Sequence, residues 1–303
     1  MIGNLRHLDE IVILILLLGI AMVVDRPVLA DNSSTPNSIT RNYVRLLSDE
    51  KSSELIALQT SIEHLKGNDS KGSFQIDLVA AVHIAEKAYY QQLNERFKSY
   101  DAVLFELIAD PSIDRKVIGQ SSDNPLSLAQ KALQNILGLS FQLEKINYLA
   151  PNFVHADMSP GQFSESMQKR GESITQLLIK IMLQSMVNDD RAPANLSDLI
   201  MLGFSQTRAV GLRRSLARQF QDMESMLTAI NGSEGSTIIS DRNKVASSVA
   251  KSELAKGKRN LAIFYGGAHM PNMKEQLQQL LGVKGAGMEW LTAWNLKTEN
   301  SKQ

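Results

Sequence analysis

Phe74-Gln75-Ile76-Asp77-Leu78-Val79-Ala80-Ala81-Val82-His83-Ile84 is the stretch on which the fold turns. It opens by alternating apolar with polar residues and closes as an unbroken apolar run, the pattern of a strand buried on both faces of a parallel sheet. A helix is expected next, because Tyr89, Leu93 and Phe97 within residues 86–100 recur every four positions and share one face. Residues 102–107 then supply a second buried strand, and the three elements read as a βαβ unit.

Further along, residues 127–230 read as almost wholly helical, broken at Gly138, at 151–160 and at Arg191-Ala192-Pro193, so a large all-helical insertion is expected at about 125–235. The α/β pattern returns with a helix over 241–255 capped by Ser240, a buried strand over 261–265, a helix beginning at Pro271 and a last alternating strand over 288–296. The expected fold class is α/β: a central, mainly parallel sheet flanked by helices, occupying residues 41–303.

Ahead of that domain, residues 1–10 are polar, 11–24 form an apolar run, and Val28-Leu29-Ala30 resembles a small-residue cleavage site. The segment 1–30 therefore reads as a signal peptide, or, if uncleaved, as a signal anchor holding the chain to a membrane. Residues 31–40 are polar and turn-forming and read as a flexible linker. The expected location is exported: periplasmic, secreted or membrane-anchored.

Of the 303 residues, 32 are basic and 32 acidic, so no net field draws the chain to nucleic acid. There is no cysteine, which excludes disulfides, thiol catalysis and Cys-based metal sites. Any metal must rest on Asp, Glu and the five histidines His7, His64, His83, His155 and His269. The phosphate loop, the nucleophile elbow of serine hydrolases and the His-Glu-x-x-His zinc helix are all missing, so those chemistries lose their usual support. His7 precedes the apolar run, and His64 sits in a polar, helical-looking stretch and reads as solvated.

His83 ends one hydrophobic strand, and His269 follows another through Gly266-Gly267-Ala268. Ligands in open parallel sheets bind beyond the carboxyl ends of the strands, so both imidazoles are expected at one rim. Each is otherwise an ordinary hydrogen-bonded residue at a strand end. Glu106 lies within the run Val103-Leu104-Phe105-Glu106-Leu107, where a buried carboxylate needs a partner, unless it stands at a solvated edge. Glu86, one helical turn from His83, either reaches the same rim or only complements a helix dipole. His155 and Asp157 are two apart, as a ligand pair or a His–Asp couple would be; the plainer reading has Asp157 or Ser159 capping the following helix. The insert's methionines and the basic stretch Arg208, Arg213, Arg214 and Arg218 read as core packing and a solvated face.

In order along the chain, Val79-Ala80-Ala81-Val82-His83, Val103-Leu104-Phe105-Glu106-Leu107, Asp241-Arg242-Asn243 and Phe264-Tyr265-Gly266-Gly267-Ala268-His269 resemble the motifs of the TraB/GumN/TIKI family, which is related to erythromycin esterase-like proteins and haem-binding lipoproteins. The second Gly-x-x-His motif is intact, whereas in the first Ala80 replaces glycine. The resemblance implies a metal-dependent hydrolase, in TIKI members a protease. It makes His83, His269 and Glu106 catalytic or metal-binding. Arg242 becomes a stabiliser of developing negative charge, and Asn243, Gly266 and Gly267 contact substrate. Arg242 alone also reads as a solvated first-turn residue.

The expected activity is hydrolysis of a peptide or small-molecule substrate assisted by a divalent metal ion, with His155, Asp157 and Glu86 as further candidate ligands. Two alternatives remain open: an envelope protein binding haem or another apolar ligand without turnover, and a catalytically inactive interaction module, which Ala80 encourages.

Overall fold

The computed structural model describes residues 43–118, 137–173 and 234–297, with parts of 210–232. The expected leader and linker, and most of the expected helical insertion, lie outside the described residues. Among the described residues no helix is long and apolar enough to cross a membrane.

A seven-stranded sheet contains β1 (Val44–Ser48), β2 (Leu55–Asp69), β3 (Gly72–Ala81), β5 (Ala102–Phe105), β7 (Phe153–His155), β8 (Asn260–Gly266) and β9 (Lys284–Asn295). The strands β3, β8, β5 and β7 are neighbours in that order and parallel. β2 is antiparallel to β1, β3 and β9, so every strand but β2 points the same way. A small separate pair joins β4 (Ile84–Ala85) to β6 (Ser140–Phe141). The helices are α1 (Lys87–Phe97), α2 (Gln142–Lys145), α3 (Pro160–Arg170), α4 (Arg242–Ala255) and α5 (Met270–Leu281). The expected mainly parallel sheet with flanking helices is thus present.

Alternation explains the continuous apolar runs. Val79 and Ala81 of β3, Val103 and Phe105 of β5, and Ala262 and Phe264 of β8 enter the core beside α1. Ile76, Leu78, Ala80, Ala102, Leu104, Leu261, Ile263 and Tyr265 enter the core beside α4 and α5. Both faces are buried, so neither parity of the strand can be polar. Burying one such side chain stabilises the fold by about 1.5–3 kcal/mol.

Four expectations are corrected. The residues between Leu55 and Asp69 form β2 rather than a helix, and His64 is not simply solvated: its Nδ1 lies 2.8 Å from Asp77 Oδ1. The expected βαβ unit of β3, α1 and β5 is present, its two parallel strands separated in the sheet by β8 from far along the chain. The range expected to be all helical contains β6 and β7, and β7 belongs to the main sheet. Polarity misled here: β2 carries Gln59, Glu63, His64 and Lys66 because part of it is partnered by charged groups rather than by a core, which erases its period-2 signal.

The fourth concerns caps. Ser240 does not cap α4; its hydroxyl donates to Asn231 Oδ1 at 2.6 Å, and Ser236 caps a π-helical turn, Thr237–Asp241, that runs into α4. Ser159 does cap α3, accepting from Gln162 N–H while the Gln162 side chain accepts from Ser159 N–H. Ser159→Ala is expected to lose about 1 kcal/mol in chemical denaturation, since one orphan N–H loses its acceptor. A change of only a few tenths would show that α3 contributes little to the cooperative unit.

Candidate functional site

The parallel register places four strand ends level. Ala81 pairs with Gly266, and Phe105 lies opposite both Phe264 and His155. The chain beyond each end supplies one group: His83 after β3, His269 after β8, Glu106 after β5 and Asp157 after β7. A fifth, Arg242, arrives from outside the sheet at the first turn of α4.

The preceding π turn sets how Arg242 arrives. Asp241 N–H donates to Ser236 C=O at 3.1 Å, a five-residue span that holds one residue more than an α-turn. Asp241 is held outward by Arg170, at 2.6 and 2.9 Å, and by Ser166 at 2.7 Å. Arg242 and Asn243 turn inward, only 7% and 0% exposed. A cation at a helix N-terminus opposes the dipole, and here two carboxylates offset that cost. Arg242 donates through Nε to Asp157 Oδ1 at 2.9 Å, and through Nη2 to Asp157 Oδ2 at 2.5 Å and Glu106 Oε1 at 2.8 Å. Gly266 N–H donates to Glu106 Oε2 at 2.7 Å, and Met158 N–H to Asp157 Oδ1 at 2.7 Å.

Charge states follow from this packing. Burial alone would raise the Glu106 pKa, but Arg242, then His269 and His83, and the Gly266 amide hold it well below the usual carboxylate range. Burial works to lower the Arg242 pKa, and Asp157 and Glu106 more than reverse it, keeping the guanidinium charged. The site therefore carries one cation against two carboxylates.

His269 is 4% exposed, and its hydrogen-bond partners fix its tautomer. Asn243 Nδ2 donates to two oxygens, the His269 carbonyl at 3.0 Å and Asn272 Oδ1 at 3.0 Å, so Asn243 Oδ1 is the atom facing His269 Nδ1 at 2.7 Å. An amide oxygen only accepts, so Nδ1 carries the proton and the Nε2 lone pair points inward. Nε2 lies 3.5 Å from Arg242 Nη1 and 3.6 Å from Glu106 Oε1. Burial, and then Arg242 against the opposing pull of Glu106, lowers the His269 pKa to about 4, so the ring is neutral at pH 7. The Tyr265 ring packs edge-on against it, centroids 5.1 Å apart, while its hydroxyl donates to the Ala156 carbonyl at 2.6 Å.

His83 joins through its charge environment. Burial lowers its pKa, Glu106 pulls it up and Arg242 pushes it down, and its ring makes no hydrogen bond to a described residue. Its carbonyl accepts from Gln142 N–H at 2.9 Å, which fixes the backbone that carries it.

Other expected residues take different places. His155 Nε2 lies 2.6 Å from the Leu107 carbonyl and so carries that ring's proton; it forms no couple with Asp157, which is committed to Arg242. The Glu86 carboxylate accepts from Asn295 N–H at 3.0 Å and lies 3.6 Å from Arg213. Asn243 spends its whole amide on His269 and Asn272. Ala80 lies inside β3 with its side chain in the core, and a strand interior asks nothing of glycine. Three supporting residues went unread in the sequence: Tyr265, Asn272 and Asp157 in its part as counter-ion. Besides Asp157, which reads in sequence as a ligand or a cap, Asn272 left a trace, three residues past His269 on the opening turn of a helix.

The chemistry of the donor set fits a guanidinium better than a divalent ion. Arg242 takes both oxygens of Asp157 and one of Glu106, and the Gly266 amide takes the other. Among the described residues no three His, Asp or Glu side chains are grouped to hold a metal ion.

Gly266 has an ordinary extended backbone, φ −54° and ψ 146°, so its missing side chain serves space and not conformation. A Cβ there would stand 3.5 Å from Glu106 Oε2 and 3.9 Å from His269 Cδ2. Gly266→Ala is accordingly expected to fold with stability within about 1 kcal/mol of wild type while crowding the space between these two groups. Thermal melting checks the first part and substrate turnover the second; a large loss of stability would contradict it.

No protein-family model, curated protein or solved structure matches this chain.

Proposed function

We propose that this protein is a hydrolase of TraB/GumN/TIKI type, cleaving a peptide or ester bond at the carboxyl rim of β3, β8 and β5. The observation that carries this reading is His269: a buried, neutral imidazole whose Nε2 lone pair is aimed between Arg242 and Glu106.

In the proposed reaction a water molecule attacks the substrate carbonyl, and His269 Nε2 takes its proton. Glu106, ionised throughout, faces the imidazolium as it forms, and Asn243 accepts from Nδ1–H in both states. Arg242 Nη1 provides a fixed cation for the developing oxyanion. The His269 imidazolium then returns that proton to the leaving group as the bond breaks, restoring the neutral ring, and His83, whose pKa burial also lowers, is proposed to line the same rim. A bound divalent ion would supply Lewis-acid polarisation; Arg242 already meets that need, so no step above depends on one. The segment 1–30 is proposed to export the domain or anchor it to a membrane, which cell fractionation tests.

The test is a peptidase and esterase screen on purified protein, run after chelation and again with added divalent metals. Turnover abolished by His269→Gln and indifferent to chelation supports the reading as written. Turnover that needs a metal moves the role of Arg242 to that ion, and no turnover by wild type on any peptide or ester overturns the hydrolase.

A further inference from the structure

Gln276 sits one turn beyond Asn272 on α5, and its amide is used on one side only. Nε2 donates to the Ser240 carbonyl at 3.0 Å and to Asn272 Oδ1 at 2.8 Å, while Oε1 is buried and has no hydrogen-bond partner among the described residues. A buried acceptor without a donor costs stability. Methionine or leucine here would avoid that cost, so the two donations are what an amide supplies at this position. Among uncharged side chains only those of Gln and Asn aim two donors from one atom.

The orientation is forced from outside. A backbone carbonyl only accepts, so the Gln276 atom that meets Ser240 C=O is the nitrogen, and the Asn272 atom it also meets is the oxygen. Asn243 meets that oxygen at 3.0 Å and the His269 carbonyl at 3.0 Å through a single atom, which is therefore nitrogen as well. Asn243 Oδ1 is left to accept from His269 Nδ1–H. The anchor of this chain, Ser240, belongs to the π turn that runs into Arg242.

A counter-pull acts on the other ring nitrogen. Glu106 Oε1 lies 3.6 Å from Nε2, and an ionised carboxylate favours a proton there, which would remove the inward lone pair. Arg242 Nη1, 3.5 Å from the same nitrogen, works against that tautomer. Without the Gln276 donors, Asn272 is free to turn Nδ2 toward Asn243, and Asn243 to turn Nδ2 toward the ring. Only the His269 carbonyl would still resist.

We propose that Gln276 is a positioning residue: through Asn272 and Asn243 it holds the proton of His269 on Nδ1, against the pull of Glu106 on Nε2. Ser240 ties that tautomer to the turn that places Arg242, so the base and the cation share one anchor. That turnover depends on the tautomer rests on the hydrolase reading; the tautomer itself does not.

The test reads the ring nitrogens of His269 by nitrogen NMR in full-length, histidine-labelled protein at neutral pH, where protonated and bare ring nitrogens resonate far apart. His269→Gln assigns the signal among the five histidines. Wild type should show the Nδ1–H form. Gln276→Met should raise the ratio of Nε2–H to Nδ1–H by roughly five- to tenfold, the scale of one neutral hydrogen bond. Adding Asn272→Asp should restore the wild-type ratio, because a carboxylate only accepts and so holds Asn243 without help from Gln276. A loss caused by loosened packing would not recover in this way. One measurement needs no variant to fold: in wild type the Gln276 side-chain N–H protons should exchange with solvent roughly tenfold more slowly than those of the exposed Gln278 and Gln279 on the same helix. A wild-type ring in the Nε2–H form, an unchanged ratio in folded Gln276→Met, a double variant that fails to recover, or Gln276 exchange as fast as that of Gln278 would each overturn the proposal. An inert wild type with the expected ratios would sink the hydrolase and keep the role of Gln276. An active one whose kcat and tautomer ratio both stay unmoved in Gln276→Met would do the reverse. If both readings hold, kcat falls in that variant while KM stays the same.

Discussion

Replacing Arg242 by Met is expected to cost about 3–5 kcal/mol of stability at pH 7.5, the scale for removing one partner of a buried ion pair. Asp157 has a side-chain exposure of 0% and Glu106 of 14%, so neither carboxylate can turn to bulk water when the guanidinium goes. The loss should shrink as pH falls below about 5, because in the variant the stranded Glu106 carboxyl is neutralised by a proton that Arg242 prevents it from binding in the wild type. Adding Glu106→Gln and Asp157→Asn to Arg242→Met should recover much of the deficit, since the triple variant buries no charge. Urea melts of the single and triple variants at two pH values measure all of this. A single variant within 1 kcal/mol of wild type would mean that Arg242 is not the counter-ion that holds this charged cluster together. Turnover by the single variant should vanish in either case, as the fixed cation facing the oxyanion is gone.

The second large effect concerns His269. His269→Gln is expected to lower kcat/KM by about 10²–10⁴ while leaving the fold intact. In the wild type the acid limb of kcat/KM should lie near pH 4, not between 6 and 7, because burial and Arg242 keep the ring neutral down to about that value. Asn243→Asp should move the limb upward, since a carboxylate against Nδ1–H favours the imidazolium. A wild-type limb at the ordinary histidine pKa would exclude His269 as the base.

Stability follows the same titration, with a definite sign. Folding lowers the His269 pKa from 6.5 to about 4, so between these values the unfolded chain binds the proton more tightly. Stability is therefore full above pH 6.5 and falls as the solution is acidified toward pH 4. The window's width amounts to a loss on the order of 3 kcal/mol. His83, also depressed, adds to the slope. Glu106 continues it below its ordinary value of 4.5, because its depressed carboxyl stabilises the fold only while ionised. His269→Gln should flatten the upper part of this curve and leave the lower part.

Much of the site was legible because burial and chemistry conflict in a sequence. Glu106 announces itself by standing in Val103-Leu104-Phe105-Glu106-Leu107, and His83 and His269 by ending apolar runs. Asp157 was ambiguous: a carboxylate ahead of a helix reads as a cap, and only the capping box at Ser159 frees it for Arg242. The two charged residues are 85 positions apart, and no local pattern links them.

The sequence by itself determined the buried strands β3, β5 and β8, the helices that cover them, and the parity that sends each side chain to one face or the other, because these depend on hydrophobic period over a few residues. It also determined that three polar groups end up at strand ends. Tertiary structure alone decided that β8 enters between β3 and β5, since strand order is set by closing a long loop and leaves no short-range trace. That insertion brings Glu106 and His269 within 3.6 Å, and a five-residue π turn swings Arg242 between the two carboxylates. Whether a cation at a helix start is solvated or buried is settled only by what faces it, and what faces Arg242 comes from two other strands.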